Sequence, residues 1–413
     1  MLSFRWWMVT VAVLGLIVGP GPINIFSFGV FVKPMAAELG TSREVLSFAL
    51  LLTTIAGALS NPVVGALIDR FGTRPTLVWL IPTTALGLFA RSLVTPSHLD
   101  LFATFFLVGF TGTVTGPTGY AALVARWFDR ERGLALGIAM AGVGLGVALV
   151  PALAAYLISA FGWRAAYRAL GVLVLVLAWL PAFFIRDPAP ADLARLSDTR
   201  PDGTLAGVGL LAALASWRFW ALTVAFFLSV VAINGTVAHT VPMLTDRGVS
   251  MALATTAVSA SGFAIILGRI LSGWCLDRFS GRAVAVAFFM VPMAGILILA
   301  EGGGAVLPIF GAALCGLAVG AEIDLMAFFV SRYFGIRAYG RVYGTMFSLF
   351  NAGNGVGPFI GGYSFSHYHG YGPALILFEA ALVLTCLLFV PLGPYPYPAP
   401  RRAGAAQPAA ASA

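Results

Sequence analysis

Three charged side chains stand where charge is costly. Arg269, Glu322 and Asp324 lie inside long apolar runs of a 413-residue chain that is 60% hydrophobic and only 10% charged. An arginine at the centre of a membrane-spanning helix costs about 2.5–3.5 kcal/mol on insertion scales, so it must face a polar cavity or a partner. Guanidinium stays protonated and offers a planar fork of donors matched to a carboxylate, so a visiting organic anion is one candidate partner. The other is a standing ion pair with one of the two acids. Arg269 precedes Asp277 by eight residues and Asp324 precedes Arg332 by eight, which puts both about 12 Å from the charged end of their helix. Arg269 can therefore meet an acid at its own depth. Glu322 and Asp324 are two residues apart and point roughly 200° from each other, so at most one shares the face of Arg269. Both readings hold together if a carboxylate keeps Arg269 in the empty protein and takes a proton when a substrate anion replaces it. Glu322, Asp324 and His239 are the proton-coupling candidates, the last because imidazole titrates near physiological pH when unperturbed.

The elements that must position these groups are membrane helices. A crossing needs roughly 20 apolar residues. Runs of that size recur at about 7–32, 45–68, 76–94, 101–124, 135–160, 165–185, 217–241, 252–276, 283–300, 305–331, 343–366 and 372–394, numbered helices 1 to 12. The sequence thus predicts an all-α membrane protein. Of the 24 basic residues, 17 fall on the side of the two termini, 6 on the other and one, Arg269, inside a helix. Basic loops resist translocation, so both termini are expected in the cytoplasm. The net charge of +8 is then a topology signal rather than a nucleic-acid footprint. The first run is too long for a signal-peptide core and is read as a retained helix. Cys275, Cys315 and Cys386 lie in predicted helices without metal spacing and are read as packing residues.

Neutral polar residues on the cavity-side helices complete a candidate substrate site with Arg269: Asn24 in helix 1, Tyr120 in helix 4, Asn234 in helix 7, and Asn351 and Asn354 in helix 11. Helix 1 is interrupted by Gly19, Pro20, Gly21 and Pro22, which removes backbone hydrogen bonds and leaves carbonyls for a polar cavity to satisfy. Helices 5 and 11 carry matched glycines and prolines, Gly142, Gly144, Gly146 and Pro151 against Gly353, Gly355, Gly357, Pro358, Gly361 and Gly362. These suit either gating or close packing. Glu379 in helix 12 is read as packed against a neighbour. Trp6, Trp7 and Trp163 are read as an interfacial belt, His367 and His369 as loop residues, and Lys33 as an anchor at the outer mouth.

The chain is duplicated. GALIDRFGTR at Gly65 to Arg74 returns as GWCLDRFSGR at Gly273 to Arg282, 208 residues later. ARWF at Ala125 to Phe128 against SRYF at Ser331 to Phe334, and Pro151 against Pro358, keep nearly the same offset. The first copy, through Gly65, Asp69, Arg70, Gly72 and Arg74, resembles the loop motif of the major facilitator superfamily. The second keeps Gly273, Asp277 and Arg278, with Ser280 in place of a glycine. The resemblance covers essentially the whole chain and implies two pseudo-symmetric six-helix bundles, the major facilitator fold. It also implies that the motif latches the halves on the cytoplasmic side, with Arg126 and Arg332 as partners of its acids. The resulting division is 1–185 for the first bundle, 186–216 for a cytoplasmic linker, 217–396 for the second bundle and 397–413 for a disordered tail.

Within that superfamily, FSFGVFVKPMAAELGTSREVLSF (Phe26 to Phe48) resembles the first-helix exit of the monocarboxylate transporters and the oxalate:formate antiporters. That group carries an arginine in helix 8 just before the second loop motif, the place of Arg269. The chain departs from the group in lacking the acidic Gly-Trp opening of its animal members, an acid where Ile265 stands, and a lysine in helix 11. The resemblance therefore implies a carboxylate-like substrate without naming one. The function it implies is secondary transport of a small organic anion of the monocarboxylate kind, through proton symport or anion exchange by a monomer; arginine in place of lysine and abundant alanine separately suggest a GC-rich bacterial genome and hence the inner membrane. The alternatives are proton-coupled efflux of amphipathic or cationic compounds recognised by Glu322 or Asp324, and a non-transporting membrane sensor. No nucleophile–base pair, metal cluster or phosphate loop is found, so the reading implies no enzyme, cofactor, metal or nucleic acid.

Overall fold

The computed structural model describes residues 2–127, 132–186, 207–276, 278–301, 306–335 and 338–397. With no water in the hydrocarbon to satisfy exposed peptide groups, the apolar runs close their backbone hydrogen bonds internally and become helices. Helix 1 comprises Leu2–Ile17, a π-helical turn Gly21–Phe26 and Phe28–Leu39. Helices 2 and 3 are Arg43–Phe71 and Thr73–Arg91. Helix 4 comprises His98–Gly112, a 3-10 turn Thr113–Thr115 and Pro117–Trp127. Helices 5 and 6 run through Arg132–Val174 and on to Ala182. The second half repeats the plan with helices 7 to 12: Trp217–Asp246, Met251–Leu276, Gly281–Glu301, Leu307–Tyr333, Tyr339–Tyr368 and Gly372–Phe389.

Three turns differ from the expected ones for local reasons. Helices 5 and 6 need no loop, because Gly162 at φ 81° and ψ 164° reverses the chain at one residue. Helix 1 extends seven residues beyond its predicted end, to Leu39, where Gly40 caps it at φ 62°. Ser42 then caps helix 2 by accepting from the Val45 amide at 3.2 Å, which makes Arg43 the first residue of that helix. Trp163, expected in the aromatic belt, is instead buried and donates to Glu38 Oε2 at 2.5 Å.

The halves are joined by helix pairs that the repeat relates: 5 with 8 and 11 with 2, together with 1 against 7. Glycine permits the approach. A Cβ built at Gly144 would press on Gly262 and Ile266 of helix 8, and one at Gly362 would press on Ser47 and Arg43 of helix 2. Ser259 also ties helix 8 to helix 5 by donating to the Ala148 carbonyl at 2.6 Å. In the motif, by contrast, Cβ atoms built at Gly65 and Gly273 meet nothing within 4 Å among the described residues, so neither shows a close helix contact there. Gly72 has a different duty, since its φ of 89° makes the turn between helices 2 and 3.

Of the expected linker and tail, residues 187–206 and 398–413 lie outside the described residues. The amphipathic stretch before helix 7 forms the short helix Leu210–Leu214, and the Val208 amide donates to the Phe334 carbonyl at 2.9 Å.

Within the second half, Gly316 of helix 10 faces the backbone of Ser261 in helix 8. Gly316→Leu should overpack this contact by about 1–3 kcal/mol. The midpoint of thermal unfolding in detergent should fall accordingly, while Gly137→Leu, where a built Cβ meets nothing within 4 Å, leaves it unchanged. Equal effects of the two would show that the helix 8–helix 10 approach is not closely packed.

Candidate functional site

A cavity of about 200 Å³ lies between the halves, lined by helices 1, 2, 4 and 5 from one side and 7, 8, 10 and 11 from the other. Much of its wall is apolar, with Ile25, Met140, Val143, Ile265 and Val319. Asn24, Asn234, Arg269, Glu322, Asn351 and Asn354 reach it, whereas Tyr120, Asp324 and His239 do not line it.

Two chain breaks shape the first-half wall. Proline has no N–H and clashes with the preceding turn, so Pro20 and Pro22 cannot continue a regular helix. The chain widens into the π-turn that carries Asn24, and Gly19, Pro20, Gly21 and Pro22 all line the cavity. Of the two carbonyls freed at i−4 by Pro20 and Pro22, Leu16 O finds a partner within the helix, accepting from the Gly19 amide at 3.1 Å. Gly19 O accepts from the Ile23 amide at 3.2 Å, and Pro22 O accepts from both the amide and the hydroxyl of Ser27, at 3.2 and 2.7 Å. Helix 4 breaks beside it at Gly116, where an added Cβ would lie 3.3 Å from Pro20.

Arg269 is at once cavity-lining and paired. Its Nη1 lies 3.2 Å from Asp324 Oδ1, with side chains 19% and 31% exposed respectively. Asp324 is the one carboxylate in ion-pair range of Arg269 among the described residues, and it engages a single nitrogen. A monodentate contact leaves most of the five guanidinium donors free of this partner. Glu322, two residues earlier and on another face, lines the cavity and accepts from Ser229 Oγ at 2.8 Å. Asn234 donates to Asn354 Oδ1, and Asn354 donates in turn to Asn351 Oδ1 at 3.3 Å.

The remaining predicted residues are used for packing. Tyr120 is fully buried against Gly15 of helix 1. His239 is buried with Nε2 2.8 Å from the Pro358 carbonyl and its ring against Phe28 and Tyr371. Of the motif residues, Arg70 and Arg278 lie against Phe71 and Trp274, and Arg332 against Phe328 and Tyr395. Arg74 is exposed. Asp277 and the side chains of Asp69 and Arg126 lie outside the described residues, so the latch is not visible. Glu379 is partly buried, with Oε1 lacking a hydrogen-bond partner.

Four cavity residues escape a search for polar outliers: Thr53, Thr54, Thr113 and Asn61. Threonine hides in helices by bonding to its own backbone, as Thr54 does to Leu51 O at 2.9 Å. Asn61 has a sequence signal that register would have found. It stands 208 residues before Arg269, the offset of the two motif copies.

On the face opposite the termini an ion cluster joins the two halves. Arg43 grips Asp246 with both terminal nitrogens, at 2.5 and 3.0 Å, and Lys33 lies 2.7 Å from the same carboxylate. Lys33 is thus an interdomain partner rather than a simple anchor. Arg43 also donates to Tyr371 at 2.8 Å and lies 3.6 Å over the Phe365 ring. Helices 1 and 2 are thereby fastened to helices 7, 11 and 12.

A duplicated helical bundle with an ionised side chain in its interdomain cavity is the architecture of a multi-pass membrane transporter. The Major Facilitator Superfamily profile matches residues 14–358. The chain belongs to that superfamily. It is 27% identical to the MFS-type transporter YcxA of Bacillus subtilis over 389 residues, covering 89% of this chain and 88% of the relative. It is 27% identical to monocarboxylate transporter 13 of Bos taurus, over 66% of this chain and 62% of the relative. Identity to the oxalate:formate antiporter of Oxalobacter formigenes is 30%, over 63% and 60%. A crystal structure of a mutant of the nucleoside transporter NupG shares the fold with a TM-score of 0.75 at 13% identity, covering 94% of this chain and 99% of NupG.

If the Arg43–Asp246 cluster holds this face shut, Arg43→Gln should expose the cavity to it. With Cys275, Cys315 and Cys386 replaced by serine and a single cysteine at Thr54, a membrane-impermeant maleimide applied to that face should label several-fold faster. An unchanged rate would show that packing, not the ion cluster, sets the closure.

Proposed function

We propose that the protein is a secondary active carrier for a small organic anion of the monocarboxylate class, working by alternating access of its two halves. The observation that carries this reading is Arg269, which faces the interdomain cavity while only singly engaged by Asp324. An apolar cavity wall with one cation and several amides suits a small carboxylate with an apolar remainder. The curated relatives supply the substrate class by analogy. With both termini in the cytoplasm of an inner membrane, the Arg43–Asp246 face is external and the conformation is closed to the outside.

Coupling follows from the same pair. A substrate carboxylate that claims the Arg269 donors, including the one Asp324 engages, releases Asp324, and an unpaired carboxylate in a low-dielectric interior is far more stable protonated. Substrate and proton then cross together. Movement of the halves breaks the external ion cluster and opens the cavity to the other side. Glu322 supports a second reading, export of cationic compounds, because it places an acid on the cavity wall. A thermal-shift comparison separates the two: small carboxylates stabilise an anion carrier, cationic dyes a cation exporter.

In proteoliposomes, an inward proton gradient should accelerate uptake of radiolabelled lactate, pyruvate or formate. Arg269→Ala should abolish this uptake, and Arg269→Lys should restore little because ammonium lacks the guanidinium fork. Asp324→Asn should leave residual uptake that no longer responds to the gradient. Normal gradient-driven uptake by Arg269→Ala would overturn the assignment, and full gradient dependence in Asp324→Asn would move coupling to another group.

A further inference from the structure

No residue of helices 3, 6, 9 or 12 lines the cavity among the described residues, yet one side chain of helix 3 bonds to a residue that does. Arg91, the last residue of that helix, is 1% exposed. Its guanidinium lies 3.8 Å over the Phe105 ring and 5.3 Å from the Tyr167 ring centre. Among the described residues no carboxylate pairs with it. Asn24 Oδ1 accepts from its Nη1 at 3.0 Å and the Tyr167 hydroxyl also interacts with the guanidinium, while Nε and Nη2 are buried without a hydrogen bond of good geometry among the described residues. In the sequence this arginine is counted with the basic residues of the face opposite the termini.

A buried cation without a counter-charge needs whatever acceptors it can reach, and that has a consequence for the amide. Guanidinium only donates, so Asn24 must present its carbonyl oxygen to Arg91. The Nδ2 donors then point away from Arg91, and Asn24 is a cavity residue. The charge behind the amide also polarises it and strengthens those donors. Helix 7, the repeat counterpart of helix 1, treats its asparagine differently: Asn234 spends a donor on Asn354. Asn24 therefore keeps its amide donors clear of Arg91, whereas Asn234 and Asn354 each spend one donor on a neighbouring amide.

We propose that Arg91 is a positioning residue for substrate. It fixes Asn24 so that the first-half wall donates hydrogen bonds to the same carboxylate that Arg269 meets from the second half. The anion then bridges the two halves, as a cargo that coordinates their movement must. The proposal rests on the anion-carrier reading and extends it to a residue that never touches the cargo.

Two measurements test it separately from that reading. In the lactate, pyruvate and formate uptake assay, Asn24→Leu and Arg91→Met should each raise KM at least tenfold with a smaller change in maximal rate. The double variant should be little worse than either single one, and Arg91→Lys should recover part of the affinity. Additive effects, or an unchanged KM in Arg91→Met, would overturn the proposal. Thermal unfolding in detergent reads the contact without any cargo. Asn24→Asp should lower the midpoint less when Arg91 is present than in the Arg91→Met background, because only Arg91 can pair with the introduced acid. Should Arg91→Met fail to fold, Asn24→Leu with Arg91 intact still gives the KM shift, and its absence overturns the proposal. Coupled unfolding without carboxylate uptake by the unmodified protein would overturn both the donor role and the anion-carrier reading while leaving the contact. Uptake with uncoupled unfolding would overturn the Arg91 proposal alone.

Discussion

A guanidinium in the hydrocarbon must be compensated in every conformation, and this requirement organises the protein. Arg269 cannot be left bare, cannot shed its proton, and is not fully occupied by Asp324. A partner that satisfies it completely would make a fixed structural element. One that satisfies it through a single oxygen leaves room for exchange. The same physics applies to Arg91, with an outcome that differs because its neighbours are aromatic rings and an amide instead of an acid.

In the proposed cycle the duplicated architecture turns that local exchange into movement. Helices 2 and 11, and 5 and 8, meet through glycines that bring backbones close, so small residues set these contacts between the halves. The face opposite the termini is fastened by charges that water can solvate once separated: Arg43, Lys33 and Asp246 are all partly exposed. Such pairs are worth less than buried ones, which suits a contact that must break in each cycle. The cavity lies beyond this closure, with its cation on one half and the Arg91-held amide on the other.

Much of this was legible in the sequence, and the failures have physical causes. Hydrophobic runs gave the helices because a bilayer permits little else, and the repeated motif gave the two-fold plan. Equal spacing to their helix ends placed Arg269 and Asp324 at one depth, and the structure brings them together. Pairing across the halves was not legible: nothing local about Lys33, Arg43 or Asp246 says that they meet. The Pro20–Pro22 break was visible, but its π-turn and the Ser27 cap depend on geometry that residue types do not reveal. Gly162 turns the chain so tightly that no loop marks it. Arg91 was hidden by its position at a helix end, where an arginine ordinarily reaches water. Asn61 was findable from the 208-residue register and was missed because asparagine alone is a weak signal.

The central claim is that Arg269 exchanges Asp324 for a carboxylate from the cavity. A structure of the protein with a bound monocarboxylate tests this most directly. The ligand carboxylate should lie within hydrogen-bond distance of the Arg269 guanidinium and of Asn24, with Asp324 released. A ligand held elsewhere while the Arg269–Asp324 contact persists would contradict it.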